Sequence, residues 1–598
     1  MIPVQKLLFA AAHYAALAVF VASCWGLGRA ALGRAGAAGR GDAWLDAGLS
    51  VTAGMGIFIG VFQALAIAGR LTPVAVGGAV VLGIGAALLQ WPGWLRQARL
   101  REAPPALSWI EKAALIALAL VAANTLASPL APPAEWDELM YHLPYAREVA
   151  RGGSLGIYEW LRYPWFPCNL DLLYAGALTV GGDVFPHLLH ALAGWTAALI
   201  VYRLGVLHLD RVTACVGAAI WLRLSDYSSA YIDNGVALFV LAACVALWRW
   251  RESPPPGGAR WLALAGFFMG VAAGAKYQAL MALPLLGAFA LWRERRPRAL
   301  AAALGCFLIP CAYWYARNAV MTGDPFNPMG GRVFGFTNWN LDDYRRQFED
   351  LHHHAALPSW LLWPALLAPF TGQGRRGAAL RAAAVFCAWS VAVWMLTSRF
   401  PRYLSIAWPL LALLAGAGWL AIFGGMAAAL RKAMPPCARG GALGRAGRWL
   451  SALLLVAAAG AVLGQTLRKA GNIAVTPGQR EAFLRERVPG YAVMNALRER
   501  GAGRVYQAGL DSAIYYGPSP VWGDVFGPWR YADFIDLPPA ELAGKLSAQG
   551  FDTLALSSPM AARLEARPGF QNHFTLLYEK DDAKAYRIRH GEPANPAR

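Results

Sequence analysis

Apolar runs long enough to cross a membrane recur along this chain, and they constrain it more than any single motif does. The runs near 7 to 28, 45 to 68, 72 to 90 and 108 to 128 each reach the length of about 20 residues that a helix needs to cross the hydrocarbon core of a bilayer. Weaker runs follow at 183 to 205, 212 to 230, 235 to 248, 261 to 275, 277 to 292, 299 to 315, 358 to 371, 379 to 397, 404 to 424 and 449 to 466. They predict an α-helical polytopic membrane protein with about 12 to 14 transmembrane helices, the lower number applying if 261 to 292 is one re-entrant pair. With 57% of its 598 residues hydrophobic and 15% charged, the chain has lipid as its main solvent.

A net charge of +19 is of the kind nucleic-acid binders carry, but the basic residues form no single surface. They recur between apolar runs instead. Arg29, Arg34 and Arg40 follow the first run, Arg96, Arg99 and Arg101 the third, Arg203 and Arg211 the fifth, and Arg249, Arg251 and Arg260 the seventh. Arg293, Arg295, Arg296 and Arg298, then Arg375, Arg376 and Arg381, then Arg431, Lys432, Arg439, Arg445 and Arg448 continue the series. Every second connection is therefore basic, and the positive-inside rule assigns these connections to the cytoplasm. The same alternation predicts that Asp137, Asp233, Lys276, the loops 131–182 and 316–357, Arg399, Arg402 and the C-terminal 130 residues face outward.

Three polar features stand on that outer side. The first is Trp136-Asp137-Glu138, followed by Tyr141, His142, Arg147 and Arg151; Leu139, Leu143, Ala146 and Ala150 recur there at helical spacing. This pattern predicts an amphipathic helix lying at the interface, with its acids at the positive end of the helix dipole. Taken alone, Asp137 also reads as a helix cap and Glu138 as a solvated first-turn acid, worth roughly 1 kcal/mol. The second feature is Asp233, within Tyr231-Ile232-Asp233-Asn234-Gly235 and preceded by Asp226, Tyr227, Ser228 and Ser229; boundary acids are costly and usually face a wet cavity, although a cap explains this one as well. The third is a set of cations, Lys276, Arg317, Arg399 and Arg402 beside Tyr403, which suit a phosphate or diphosphate or, more simply, lipid headgroups.

After about residue 470 the apolar runs shorten to strand length. Arg504 to Ala508 and Phe551 to Leu556 read as strands between helical segments around 480 to 500 and 539 to 549, and Phe574 to Tyr578 with Ala585 to Ile588 as a closing hairpin. The expected domains are thus 1–104, additional N-terminal membrane helices; 105–470, a membrane module; and 471–598, a small soluble α/β domain outside the membrane. Gly517-Pro518 to Pro528-Trp529 reads as a plain surface loop or, second, as one that leans back over the membrane face. Cys24, Cys215, Cys244, Cys306, Cys311 and Cys387 sit in or beside apolar runs and have neither disulfide nor zinc spacing. Val21-Ala22-Ser23-Cys24 is like a lipoprotein processing site, but cleavage there would invert the basic-loop pattern, so the first run is read as an uncleaved helix. His352-His353-His354 are consecutive, which rarely supplies tetrahedral geometry, and no metal site is assigned.

Trp136 to Pro144 resembles the first outer-loop motif of the GT-C glycosyltransferases. Gly274-Ala275-Lys276-Tyr277, then Ala316 to Pro328, and Arg402-Tyr403 ahead of an apolar run are similar to later landmarks of the bacterial branch related to protein O-mannosyltransferases and lipid A aminoarabinose transferases. The resemblance covers roughly 105 to 425, with about three extra runs before the motif. It implies a GT-C-like catalytic module that moves a sugar from a polyprenyl-phosphate carrier to a glycan, lipid or protein acceptor, with inversion, at the periplasmic face of a bacterial inner membrane. It also implies Asp137 as the base, Glu138 as its competitor, and Asp233 orienting hydroxyls. Tyr141, His142, Lys276, Arg317, Arg399, Arg402 and Tyr403 become candidates for holding the substrate, although a lone interfacial histidine such as His142 more often packs, here on Tyr145. Some relatives of this kind use a divalent cation and others do not. The rival readings are a transporter or flippase of lipid-linked sugars, against which stands the lack of a paired repeat of broken helices, and a non-catalytic lipid-binding subunit.

Overall fold

The computed structural model describes residues 3–34, 42–99, 106–253, 258–433 and 441–589; Arg40, Arg101 and Arg439 of the basic series lie outside them. The protein is a polytopic helical membrane protein with a small α/β domain at its C-terminal end. Among the described residues ten helices are long and apolar enough to cross a membrane, and Gly258–Ala273 and Trp360–Phe370 are shorter apolar helices.

The bundle begins with α1 (Val4–Arg34), α2 (Ala43–Ile67), α3 (Pro73–Arg99) and α4 (Trp109–Ala123). Glycines set how closely the first three approach. A Cβ on Gly28 would lie 1.8 Å from Ser50 O, and one on Gly54 would lie 1.9 Å from Cys24 O, so α1 and α2 meet backbone to backbone, as small residues allow in lipid. The membrane module continues with α5 (Leu143–Gly152), α6 (Asn169–Val180), α7 (Phe185–His208), α8 (Arg211–Leu224), α9 (Asp233–Glu252), α10 (Gly258–Ala273), α11 (Leu283–Arg293) and α12 (Pro297–Thr322). Beyond it come the helices Ala378–Leu396, Trp408–Ala433 and Gly441–Gly471.

Four of the runs read as spans form shorter helices: 261–275 and 358–371 are Gly258–Ala273 and Trp360–Phe370, and 212–230 and 277–292 are interrupted. The run 212–230 ends as α8 at Leu224, because Asp226 turns the chain by accepting from the Ser228 N–H and hydroxyl. The run 277–292 is a 3₁₀ stretch, Tyr277–Ala282, ahead of α11, with Pro284 at the start of that helix.

Contacts sort the helix ends into two sets. At one end Arg203 pairs with Asp42, Arg211 with Glu111 (2.9 Å) and Arg29 with Gln97 (2.8 Å), joining the end of α7 to the start of α2, the starts of α4 and α8 to each other, and the end of α1 to that of α3. At the other, Lys6 Nζ donates to Ala470 O (2.9 Å) and Lys469 Nζ to Asn124 O (2.7 Å), bringing the start of α1 and the end of α4 to the end of Gly441–Gly471. The up-and-down alternation inferred from charge thus has a physical counterpart.

The amphipathic segment 139–150 differs from its sequence reading. One π-helical turn, Glu138–His142, leads into α5, and Leu139, Leu143, Ala146 and Val149 are wholly buried. Rather than lying on a lipid interface, α5 is held between α6 and the C-terminal domain, where Arg147 Nη1 donates to Tyr515 O (2.5 Å). The long segment 316–357 also folds in part, with a capped helix at Leu341–His353.

The C-terminal sheet has the order β2-β1-β3-β5-β4, from β1 (Val505–Ala508), β2 (Val521–Trp522), β3 (Thr553–Ser557), β4 (Phe574–Lys580) and β5 (Ala583–Ile588). The β1 strand pairs in parallel with β2 and β3, and β4–β5 is the antiparallel hairpin expected from sequence. Tyr506, Phe551, Leu554, Phe570 and Phe574 pack its core. The 517–529 segment is not a free surface loop. Ser519 Oγ donates to Glu148 (2.8 Å), Phe526 stacks on Trp339 (4.9 Å), and Asp524 receives Arg162 Nε and Nη2 at 2.9 and 2.6 Å. A buried guanidinium held by a carboxylate on the other domain fixes how the α/β domain sits on the membrane module.

Candidate active site

The connection 131–137 reaches the bundle mouth and stops at Asp137, whose side chain does not cap the π-turn after it. Its Oδ2 accepts from Arg402 Nη2 at 2.5 Å instead. Asp233, the first residue of α9, accepts from Lys276 Nζ at 2.7 Å, and its second oxygen lies 3.8 Å from Arg402 Nε. The result is an alternating row, Asp137, Arg402, Asp233, Lys276, drawn from four separate segments.

Aromatic rings wall this row. Arg402 lies 5.0 Å from the Tyr231 ring, Lys276 5.4 Å from that of Tyr403, and Tyr141 meets Tyr163 edge-on at 5.0 Å. The charged groups are enclosed but reachable: the Asp137, Asp233 and Lys276 side chains are 12%, 13% and 14% exposed, and that of Arg402 is 28% exposed. Arg402 Nε has no hydrogen-bond partner among the described residues. Its donor fork therefore retains capacity for a further anion.

Burial alone would raise the Asp137 pKa, but Arg402, with His142 and Lys276, outweighs it and holds the carboxyl below its ordinary value. For Lys276 burial dominates and lowers the pKa, with Asp233 opposing it. Burial, followed by the nearby Asp137 charge, pushes the Tyr141 phenol well up.

Glu138 occupies a different environment from its neighbour. It is fully buried and accepts from the Ala134 and Glu135 N–H groups at 2.7 Å, the Ala230 N–H at 2.6 Å and His187 Nε2 at 2.7 Å. It therefore ties the strand of chain before Asp137 to the one before Asp233, with no oxygen left for a substrate. His142 does not pack on Tyr145; its Nδ1 is 2.8 Å from Asp171 Oδ1 and its ring lies against Tyr141. Arg317 is bound to Asn318 and to Trp165 O (2.9 Å) between the Trp165 and Trp314 rings, with no contact to the row among the described residues. Arg399 is exposed, with φ 52°, and donates to Met395 O.

Asp171, His187, Tyr163, Tyr231 and Arg162 also support the mouth. Of these, Tyr231 lies in the Tyr231-Ile232-Asp233-Asn234-Gly235 motif; the others sit in hydrophobic or aromatic stretches with no local signal. Arg162, which anchors Asp524, also stacks 4.7 Å from the Trp136 ring, one residue from Asp137. Among the described residues no group of three or more His, Cys, Asp or Glu side chains is gathered for a metal ion, and both acids of the row face cations.

A family model described as SF2091/S2213 matches residues 479–587, the α/β domain. The chain is similar to two Shigella flexneri proteins: SF2093/S2215, 42% identical over 67 residues (11% of this chain, 34% of that one), and SF2092/S2214, 41% identical over 49 residues (8% and 27%). It thus spans about a third or less of the length of these relatives. In fold it is similar to ArnT from Cupriavidus metallidurans bound to undecaprenyl phosphate (TM-score 0.48, 13% identity, 80% of this chain and 98% of that one) and in the apo state (0.49, 14%, 79% and 97%). It is also similar to the Archaeoglobus fulgidus oligosaccharyltransferase tethered with an acceptor peptide (0.43, 12%, 81% and 75%). At such identities and TM-scores the likeness assigns no superfamily, reaction, donor or acceptor to this chain.

Proposed function

We propose that this protein is an integral membrane glycosyltransferase that moves a sugar from a polyprenyl-phosphate carrier to an acceptor hydroxyl at the extracytoplasmic face of a bacterial inner membrane. The observation that carries the reading is the Asp137–Arg402–Asp233–Lys276 row, which pairs each candidate acid with a cation that a phosphate can claim.

Displacement at an anomeric carbon makes two demands. The attacking hydroxyl must lose its proton, and the departing phosphate must be met by positive charge as the C–O bond breaks. Arg402 and Lys276 answer the second demand. Once they turn to the carrier phosphate, Asp137 loses the counterion that depresses its pKa and becomes a stronger base. The hydroxyl proton passes to Asp137, the hydroxyl oxygen bonds to the anomeric carbon with inversion, and polyprenyl phosphate leaves as the anion held by Arg402 and Lys276. Asp233 keeps Lys276 in place, and Tyr141, Tyr231 and Tyr403 supply faces and hydroxyls for a sugar ring. Glu138 and His142 act by holding the mouth together.

The test is release of polyprenyl phosphate from a panel of lipid-linked sugars by the purified chain in nanodiscs, native against Asp137→Asn. Release that disappears with the substitution, in monodisperse protein, supports the transferase and names its donor. Release unchanged by Asp137→Asn sinks the assignment of the base. Absence of release with every donor and acceptor pair, together with carriage of the same lipids across vesicles, would favour a transporter.

A further inference from the structure

At the end of the bundle away from Asp137 lies a cleft of about 730 Å³ between α7, α9, α11 and the helices Ala378–Leu396 and Trp408–Ala433. Leu204, Val245, Leu285, Phe289, Phe386 and Leu413 contribute to its apolar wall. Its rim carries Arg249, Arg251 and Arg381. None of the three has a carboxylate partner among the described residues: Arg251 lies over the Trp248 ring at 4.4 Å, Arg249 over the Trp261 ring at 6.0 Å, and Arg381 Nη1 donates to Arg375 O. Two acids also line the cleft; Asp42 is taken by Arg203, and Glu252 is exposed. Trp248, Trp250 and Trp261 sit beside these arginines, the composition of a headgroup-level belt.

We infer that this cleft is a binding site for a glycerophospholipid with an anionic headgroup, its acyl chains against the apolar wall and its phosphate between Arg249, Arg251 and Arg381. Charge complementarity selects the occupant. A neutral or zwitterionic lipid would fill the wall equally well but leave the cationic rim unmatched, and anionic lipids gain from each basic side chain at the surface. A carrier whose phosphate sat at this rim would not reach Asp137, because the 20 residues of α9 separate Asp233 from Glu252 by about 30 Å at 1.5 Å per residue. The site is separate from the proposed transfer centre and does not depend on that reading.

The test uses the full chain, delipidated in detergent and offered phosphatidylglycerol or phosphatidylcholine with the same acyl chains, with retained lipid counted by native mass spectrometry. Phosphatidylglycerol is expected to be retained about tenfold better than phosphatidylcholine. Arg249→Gln/Arg251→Gln/Arg381→Gln should remove that preference, and Ala383→Phe, in the cleft wall, should remove retention of both lipids. Arg381→Gln alone, at an exposed position, keeps the test open if the triple variant is not monodisperse; it should weaken the preference. Equal retention of the two lipids, a preference that survives the arginine changes, or retention that survives Ala383→Phe would each overturn the site.

Discussion

Arg402 and Asp137, 265 residues apart in the chain, meet through a 2.5 Å contact between Nη2 and Oδ2. The pair holds the Asp137 carboxyl below its ordinary pKa, and under the proposed mechanism it serves as a base once the carrier phosphate draws Arg402 away. Asp137→Asn keeps the shape and removes the basic oxygen, so carrier-phosphate release should fall by about a hundred- to ten-thousand-fold with little change in unfolding temperature. Arg402→Gln should lower release and weaken donor binding together, read as a fall in kcat and a rise in KM for the lipid-linked sugar.

Glu138 should separate fold from chemistry. With three N–H groups and His187 converging on it and no exposure, Glu138→Ala strands buried donors and should cost about 3 to 5 kcal/mol of stability. Thermal unfolding in detergent checks this. A Glu138→Ala protein as stable as the native chain would mean that the carboxylate is not the knot tying 134–135 to 230.

The domain junction offers a third measurement. Arg162 holds Asp524 bidentately and lies 3.6 Å from Asp511. Arg162→Met should loosen the α/β domain and expose the connection 472–476 to limited proteolysis, while the isolated sheet stays folded on its own core of Tyr506, Phe551 and Phe574. Release of polyprenyl phosphate should fall as well, since the same guanidinium stacks on Trp136.

The junction should also respond to pH. Burial, reinforced by Asp524 against the pull of Arg162, raises the Asp511 carboxyl from 3.8 to about 6. A folded pKa above the unfolded one means that the folded state binds the proton more tightly, so this group favours folding more as pH falls through about 6 towards 3.8. The unfolding temperature at pH 7.5 should therefore rise in Asp511→Asn, which keeps the acceptor for Gln507 Nε2. The difference between native and variant should shrink by pH 5, and a gap of constant size from pH 5 to 7.5 would show that Asp511 does not titrate there.

In the membrane, Gly54→Leu should be the costly change at the α1–α2 contact. Its Cβ would already lie 1.9 Å from Cys24 O, backbone that has no rotamer to give, and overpacking of this kind costs about 1 to 3 kcal/mol or more. Gly33, with open space around it, is the control: Gly33→Leu should leave the yield and monodispersity of purified protein unchanged.

Much of this architecture was legible because it is written locally. A helix that must cross lipid needs a continuous apolar run, a hairpin needs two alternating runs and a turn, and the strands at 505–508 and 553–557 and the hairpin 574–588 carried those patterns openly. An apolar run does not by itself say where its helix ends, and at Asp226 the side chain turns the backbone before the run is over. For the 517–529 loop the sequence left open whether it lies free or leans back over the membrane face, because Pro and Gly describe how a chain turns and not what it leans on.

The candidate site divides along the same line. Sequence by itself determined the residue types and their side of the bundle: acids at 137 and 233, cations at 276 and 402, all at one end by the alternation of basic loops. It could not determine which acid meets which cation, or that adjacent Asp137 and Glu138 point to different fates, one at the mouth and one in a sealed pocket. Those outcomes depend on contacts between segments far apart in the chain, Glu138 to His187 and Ala230, Asp137 to Arg402. Hydropathy and periodicity are properties of neighbours along the backbone, whereas a hydrogen bond is decided by angstroms in space, and only the packed helices set those distances.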